Sequence, residues 1–285
     1  MRSITRRQQI VSQLLLALVG LFVLLPIWGL AYMAFDSAIK GWPIEFRLWP
    51  KTFSLAMFQR MWVRPWQGTT FLSLLRNSLI VAGGAAALSA ALGASMAYAF
   101  ARLRFPGRQV GLFGLLVGAL LPPVALMTPL YVLLTALHVR ATLFGLMIVY
   151  TAFAMPFCVW NMRAAFQAVP KELEESAFLD GATTWMTLWR VTFPLALPAI
   201  AVASLIAFLI GYSEFALGWL FVEKPSTITV AMAVSGMMRN THFGSAASWN
   251  DLAALALLMS VPVVVVFLLL RRWLLSGLLM GSVEE

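Results

Sequence analysis

A cluster of ionisable side chains lies between two strongly apolar stretches of the sequence. Residues 171 to 181 contain four carboxylates and one lysine, namely Lys171, Glu172, Glu174, Glu175 and Asp180. Carboxylates on a polar connection can pair with basic side chains of a partner protein. Helices that lie on the inner membrane surface are usually basic, because that leaflet is anionic. The sign of the charge therefore favours a docking surface for a basic protein over the alternative, a pair of surface-lying helices.

The same segment has the residue pattern of two short helices. Pro170 suits a first helical position, and the glutamates that follow it favour the positive end of the helix dipole. Asp180 and Gly181 supply a left-handed helix end. Thr183 or Thr184 can cap a second helix. Its apolar stripe would consist of Trp185, Leu188 and Trp189.

Motifs for catalysis are missing from the sequence. A phosphate-binding loop needs glycine before lysine, whereas the lysines here follow isoleucine, proline, proline and glutamate. The single cysteine, Cys158, allows no intrachain disulfide, and His138 and His242 are too far apart in the sequence to suggest a metal site. We therefore expect neither an enzyme nor a metal or cofactor site in this chain.

The composition places these residues in a membrane protein. Of the 285 residues, 61% are hydrophobic and 11% are charged, and the mean hydropathy is +0.88. The net charge of +9 comes from short basic clusters between apolar runs. That pattern is typical of loops next to a membrane, and we expect no nucleic-acid partner.

Six apolar stretches are long enough to cross a bilayer as helices. The sequence therefore predicts an all-α integral membrane protein, a single domain over residues 1–285, with both termini cytoplasmic. The predicted spans are residues 10–35, 73–101, 109–134, 141–163, 194–222 and 252–275. Residues 164–190 form a cytoplasmic loop, and residues 36–72 and 223–251 form outer loops. Eleven basic residues on the cytoplasmic side against nine outside favour this orientation only slightly.

Two compositional features of the spans and outer loops suggest how they pack. The second span is dense in small residues that let another helix approach closely: Gly83, Gly84, Ala87, Ala91, Gly93 and Ala94. The first outer loop contains Trp42, Trp49, Trp62 and Trp66. We interpret these tryptophans as an interfacial aromatic belt, with a binding surface as the alternative.

The acidic loop also resembles a known family. The run from Glu175 to Ala182, followed by Val191-Thr192-Phe193-Pro194, is similar to the Glu-Ala-Ala loop of permease subunits of ATP-binding-cassette importers. The segments 97–107 and 249–283 resemble the smaller permeases of the maltose/maltodextrin transporter family. Two features depart from the family pattern. Ser176 replaces an alanine, and residues 281–285 read Gly-Ser-Val-Glu-Glu, where relatives usually end in a lysine and a glycine.

The resemblance implies roles for individual residues. The loop would be a coupling helix in a cleft of a cytoplasmic ATPase, with Glu175 paired to a basic residue, Ala177 allowing close packing and Gly181 forming the turn. The expected coupling residues are Glu175, Ser176, Ala177, Asp180, Gly181, Ala182 and Pro194. In relatives a Glu-Phe or similar pair often occupies the place of Glu214, which is the one carboxylate within the predicted spans. Tyr212, Ser213 and Glu214 are therefore candidate pathway residues, although Glu214 could equally extend to water.

The resemblance further implies partners, location and cargo. We expect a homologous second permease, two ATPase subunits that bind ATP and Mg²⁺, an extracytoplasmic sugar-binding protein and membrane lipid. The chain would lie in a bacterial or archaeal cell (inner) membrane and would help to import a di- or oligosaccharide. A gradient-driven carrier that works alone and a non-transporting membrane scaffold are the alternatives.

Overall fold

Apolar stretches fold as helices because a helix satisfies its own backbone hydrogen bonds where water is absent. A computed structural model describes residues 6–39, 48–242 and 248–280, and over these residues the predicted all-α class is confirmed. Trp42 and the tail 281–285 lie outside the described residues.

The helices follow one another closely along the chain. They are α1 (Arg6–Phe35), α2 (Ala56–Val63), α3 (Phe71–Arg102), α4 (Arg108–Leu120), α5 (Met127–Ala136), α6 (Leu143–Ala168), α7 (Lys171–Leu179), α8 (Thr184–Thr187), α9 (Phe193–Leu195), α10 (Leu197–Ser213), α11 (Ala216–Phe221), α12 (Val230–His242) and α13 (Trp249–Met280). A π-helical turn, Leu188–Thr192, joins α8 to α9.

Four of these helices, α1, α3, α6 and α13, are each long and apolar enough to cross a membrane. Two further spans are possible if each of two bent helix pairs counts as one, which gives up to six. The count of six stays a prediction. The chain is a multi-pass membrane protein in either case.

The predicted span 109–134 is not one straight helix. It consists of α4 and a second segment, Pro123–Ala136, inclined by 103°. Pro122 and Pro123 cause the break, because proline lacks an N–H donor and disfavours helical backbone in the residue before it. Leu121 and Pro122 are both extended, with ψ of 129° and 131°.

The predicted span 194–222 is also interrupted, at two places. A bend of 84° at Ala196 separates Thr184–Leu195 from α10. Pro198 cannot donate to the carbonyl four residues before it, which favours a break at this point. At the other end, α10 stops at Ser213, and the extended Glu214 leads into α11.

The chain divides into two compact units, one of residues 1–71 and 236–260 and the other of residues 72–235 and 261–285. The predicted single permease domain stays a prediction. In the second unit, Gly84 and Gly93 of the small-residue stripe face α6, where they meet Met147 and Cys158. Gly83 has open space beside it.

In the first unit, hydrogen bonds and aromatic contacts order the segment after α1. The carboxylate of Asp36 accepts hydrogen bonds from the backbone N–H groups of Ala38, Lys51 and Thr52. Trp28 donates to the carbonyl of Leu48 at 3.0 Å and packs edge-on against Trp49. The ring of Trp49 remains exposed, which suits the predicted aromatic belt.

Candidate functional site

The acidic loop begins where α6 ends at Ala168, five residues later than the sequence predicts. Pro170 is the N-cap of α7, and Lys171 is the first helical residue. Glu172 and Glu174 lie in the first turn, where carboxylates stabilise the helix dipole. The predicted helix is therefore present, with its start shifted by one residue.

Gly181 forms the predicted left-handed turn at the end of α7. Its φ is +85°. The N–H of Gly181 donates to the carbonyl of Phe178 at 3.0 Å, and the N–H of Ala182 donates to that of Ala177 at 2.9 Å. These two bonds define a Schellman motif, which satisfies the last carbonyls of the helix.

The second helix of the loop is short and continues into the π-helical turn. The hydroxyl of Thr183 accepts a hydrogen bond from the N–H of Met186 at 3.3 Å, so Thr183 is the predicted cap. Trp189 packs edge-on against Trp185 and tilts over Phe193, with ring centroids 5.5 and 4.7 Å apart. The predicted apolar stripe thus forms an aromatic ladder along the turn.

Glu174 makes buried polar contacts, although the sequence alone does not distinguish it from the neighbouring glutamates. Its Oε1 lies 2.9 Å from Nε of Arg102, the last residue of α3, and the two side chains are only 7% and 8% exposed. The same oxygen accepts a hydrogen bond from the hydroxyl of Thr192 at 2.9 Å. Arg102 also donates to the carbonyl of Val169 at 2.5 Å.

The predicted anchor, Glu175, is exposed on the neighbouring side of α7. It lines an open pocket of about 540 Å³ together with Arg104, Arg108 and Lys171. Ser176 is exposed, and its hydroxyl donates to the carbonyl of Leu173, within its own helix. The exposed negative charge of the loop is therefore smaller than the sequence suggests, because Arg102 neutralises Glu174 below the surface.

The remaining coupling candidates are placed around the turn and after it. Asp180 is exposed, and its N–H closes α7 by donating to the carbonyl of Ser176 at 3.0 Å. Pro194 is exposed and lies in α9, just before the bend at Ala196. It is separated from the turn at Gly181 by α8 and the π-helical turn.

The three candidate pathway residues lie at the end of α10, but their side chains differ in accessibility. Tyr212 is buried and stacks on Phe208. Ser213 is exposed and donates to the carbonyl of Leu209 at 2.7 Å. Glu214 is half-buried and accepts hydrogen bonds from the N–H groups at the start of α11, at 3.0 and 3.2 Å. Their role in a pathway stays a prediction.

The described residues contain no group of three or more His, Cys, Asp or Glu side chains that could hold a metal ion. Cys158 is buried in α6, and its thiol lies 3.6 Å from the carbonyl of Ala203. The acidic loop, by contrast, has an exposed carboxylate at Glu175, exposed apolar side chains and the turn at Gly181, all of which can contact another protein.

Comparison with known proteins finds relatives of this chain among transport proteins. The family described as binding-protein-dependent transport system inner membrane component matches residues 89–279. The maltose/maltodextrin transport system permease protein MalG of Escherichia coli (strain K12) is 34% identical over 215 residues, which cover 74% of this chain and 71% of MalG. The trehalose transport system permease protein SugB of Mycobacterium tuberculosis (strain CDC 1551 / Oshkosh) is 30% identical over 218 residues, 76% of this chain and 79% of SugB.

A solved structure extends the likeness to the fold. A bacterial ABC transporter involved in the import of the acidic polysaccharide alginate contains a chain with a TM-score of 0.73 and 21% identity. The alignment covers 95% of the present chain and 99% of that one. The present chain belongs to the family of inner membrane components of binding-protein-dependent transport systems, and it is a multi-pass permease subunit of an ABC importer.

Proposed function

We propose that this permease subunit helps to import a di- or oligosaccharide and forms half of the translocation pathway. The names of its relatives support a carbohydrate cargo, since MalG belongs to a maltose/maltodextrin system and SugB to a trehalose system. A homologous permease would supply the other half. An extracytoplasmic binding protein would deliver the sugar. The structure of a bacterial alginate ABC transporter contains such a partner, an alginate pentasaccharide-bound periplasmic protein.

The observation that carries the coupling role is the exposed face of the loop around Gly181. Leu179 is 90% exposed at the end of α7, and Trp185 is 62% exposed in α8. Phe178 lies beside Leu179 and is also exposed. Large exposed apolar side chains mark a protein or membrane interface, and the acidic charge of α7 favours a protein here. We therefore assign this face, with Glu175, to the cleft of a cytoplasmic ATPase.

The proposed mechanism is alternating access driven by that ATPase. Two ATPase subunits bind ATP and Mg²⁺, and their closure displaces the loop 170–190 relative to the spans. The helix bundle then opens outward, and separation of the ATPase subunits returns it inward. This chain supplies the docking surface and part of the pathway, and both termini lie on the cytoplasmic side with the loop.

The first test combines purification with reconstitution. The tagged chain, purified in mild detergent, should retain a second polytopic protein and an ATPase with a Gly-Lys-Ser/Thr motif. Liposomes that contain this complex should accumulate maltose only with internal ATP and an external binding protein. If the complex transports a non-carbohydrate solute instead, the sugar assignment is wrong while the permease role stands.

Glu175→Ala tests the docking assignment in the same complex. An exposed ion pair contributes about 0.2–1 kcal/mol, whereas loss of one partner of a desolvated pair costs about 2–5 kcal/mol. We expect uptake and sugar-stimulated ATPase activity to fall while the subunit still reaches the membrane. Glu172→Gln, on an exposed side chain of the same helix, is the matched control.

The two alternative functions give different results in these assays. A gradient-driven carrier would transport without nucleotide and would lose transport in the Glu214→Gln variant. A scaffold would bind partners without uptake in any reconstitution. The carboxylate of Glu214 is already engaged by two backbone N–H groups of α11, which supports a helix-capping role rather than binding of a coupling ion.

A further inference from the structure

The buried pair of Arg102 and Glu174 joins three parts of the second unit. Arg102 is the last residue of α3, Glu174 lies in the first turn of α7, and Thr192 ends the π-helical turn. One carboxylate oxygen, Oε1 of Glu174, receives both the guanidinium and the hydroxyl at 2.9 Å. Thr192 is fully buried. We call these three residues the polar joint.

Apolar packing on the other side of α7 is incomplete. Leu173 is 44% exposed and lines a cavity of about 560 Å³. Pro170, Leu195 and Asn161 lie on the walls of the same cavity. The polar joint attaches α7 to the end of α3 and to the π-helical turn, whereas the side that Leu173 occupies has open volume.

The π-helical turn connects the polar joint to the bend that precedes α10. Single π-turns within α-helices are often found at functional sites. Here the turn ends at Thr192, four residues before the 84° bend at Ala196 that leads into α10. A displacement of α7 would therefore act on the end of α3 and on the start of α10 together.

We propose that the polar joint is the rigid link through which movement of the coupling loop reaches α3 and α10, with Glu174 and Thr192 as positioning residues. The inference rests on the coupling role proposed above. Separating Arg102 from Glu174 would leave each of two buried charges without its counter-charge, which is costly. The three elements therefore move together, whereas Glu175 on the exposed side of α7 contacts the ATPase.

The test compares Thr192→Val with Thr192→Ser in the assembled complex. Valine keeps the shape of threonine but removes the hydroxyl that reaches Glu174, and serine keeps the hydroxyl. Two quantities are measured in liposomes: basal ATPase activity, and maltose imported per ATP hydrolysed. We expect Thr192→Val to keep the ATPase bound with basal activity within twofold, but to import at least fivefold less maltose per ATP. Thr192→Ser should stay within twofold on both.

Glu174→Gln provides a second variant. It should show the same loss of coupling, because a neutral amide holds Arg102 less strongly. Thr192→Val with the parental ratio of maltose to ATP would overturn the proposal. So would a Thr192→Val subunit that fails to assemble, since the hydroxyl would then be needed for folding rather than for transmission.

These results separate the inference from the proposed function. If Glu175→Ala leaves uptake unchanged, the docking assignment fails and the polar joint has no input to transmit. If Glu175→Ala impairs uptake while Thr192→Val and Glu174→Gln transport normally, docking stands and the polar joint is not the link.

Discussion

Asp36 shows how one buried carboxylate can hold an outer segment in place. It is 1% exposed and accepts hydrogen bonds from three backbone N–H groups and from the hydroxyl of Thr52. Burial opposes ionisation, but these bonds together hold the pKa of Asp36 below its ordinary value of 3.8. The ionised form is therefore the one that stabilises the segment.

The lowered pKa of Asp36 predicts a pH-dependent effect of Asp36→Asn. A carboxyl with a lower pKa in the folded state contributes stability above its ordinary pKa and loses it as the pH falls through the folded value. We expect Asp36→Asn to lower the free energy of unfolding by about 1.5–3 kcal/mol at neutral pH. The gap between parent and variant in detergent melting temperature should be constant from about pH 8 to 5 and should shrink below about pH 4.

A gap that stays constant to acid pH would show that Asp36 acts through shape and not through charge. Thr52→Val is the matched comparison, because it removes one of the donors and leaves the carboxylate. It should lower the melting temperature less than Asp36→Asn does.

The local structure of the loop was predictable from the sequence, but which of the adjacent glutamates is buried and which is exposed was not. The sequence indicated an acidic helix, a turn at Gly181 and a cap at Thr183, because each depends on local chemistry. It did not distinguish Glu174 from Glu175, since the difference depends on which side of α7 meets Arg102. The charge of Arg102 at the end of a span was visible in the sequence, but its partner required the fold.

At the scale of elements, the turn at Gly181 sets the angle between α7 and α8. A Cβ at this position would meet nothing within 4 Å, so substitutions act through the backbone alone. A left-handed conformation costs a residue with a Cβ about 1–2 kcal/mol, and a β-branched residue more.

We therefore expect Gly181→Val to reduce uptake and ATPase stimulation in the reconstituted complex. Gly181→Asn should be close to the parent, because asparagine tolerates this conformation. Both variants should reach the membrane at parental levels. Equal uptake by the valine and asparagine variants would mean that the left-handed turn is not required for coupling.

The start of α6 gives a prediction about stability. A Cβ at Gly145 would overlap the backbone carbonyl of Val139, whereas one at Gly83 in α3 would meet nothing within 4 Å. Gly145→Ala should lower the free energy of unfolding by about 1–3 kcal/mol through overpacking. Gly83→Ala should leave it unchanged or raise it by up to about 1 kcal/mol, because alanine favours helix. A lower melting temperature for Gly145→Ala, with an unchanged or higher one for Gly83→Ala, would support both assignments. A Gly145→Ala subunit as stable as the parent would contradict the overlap.

Hydropathy predicts where the membrane spans lie better than it predicts where the helices within them bend or break. The apolar stretches predicted the ends of α1 and α3 to within four residues, whereas α6 and α13 each end five residues later than predicted. The same criterion treated 109–134 and 194–222 as continuous, because it ignores Pro122-Pro123 and the competition of Glu214 for backbone donors. Both breaks depend on local hydrogen bonding, which an average over a window does not register.

At the scale of the whole chain, contacts between distant polar residues restrict the number of membrane crossings. Arg140 pairs with Glu223 at 2.5 Å, and Asn250 donates to the carbonyl of Asp36. Each pair must lie on one side of the membrane. If both bent helix pairs, or only the second, returned to their starting side, Arg140 and Glu223 would be separated. If only the first returned, Asp36 and Asn250 would be separated.

Only six crossings keep both contacts, so we expect residues 137 and 226 outside and residue 172 inside. Single cysteines at Leu137, Glu172 and Ser226 can test this expectation with a membrane-impermeant maleimide on intact spheroplasts. These three side chains are exposed, and Cys158 is fully buried, so the parent chain should give little background. We expect Leu137→Cys and Ser226→Cys to react at once and Glu172→Cys only after permeabilisation. If the chain crossed the membrane four times, the results for Leu137→Cys and Glu172→Cys would be exchanged. If Ser226→Cys were protected and Glu172→Cys labelled rapidly, the termini would lie outside, and the coupling loop would lie on the opposite side from the one assigned here.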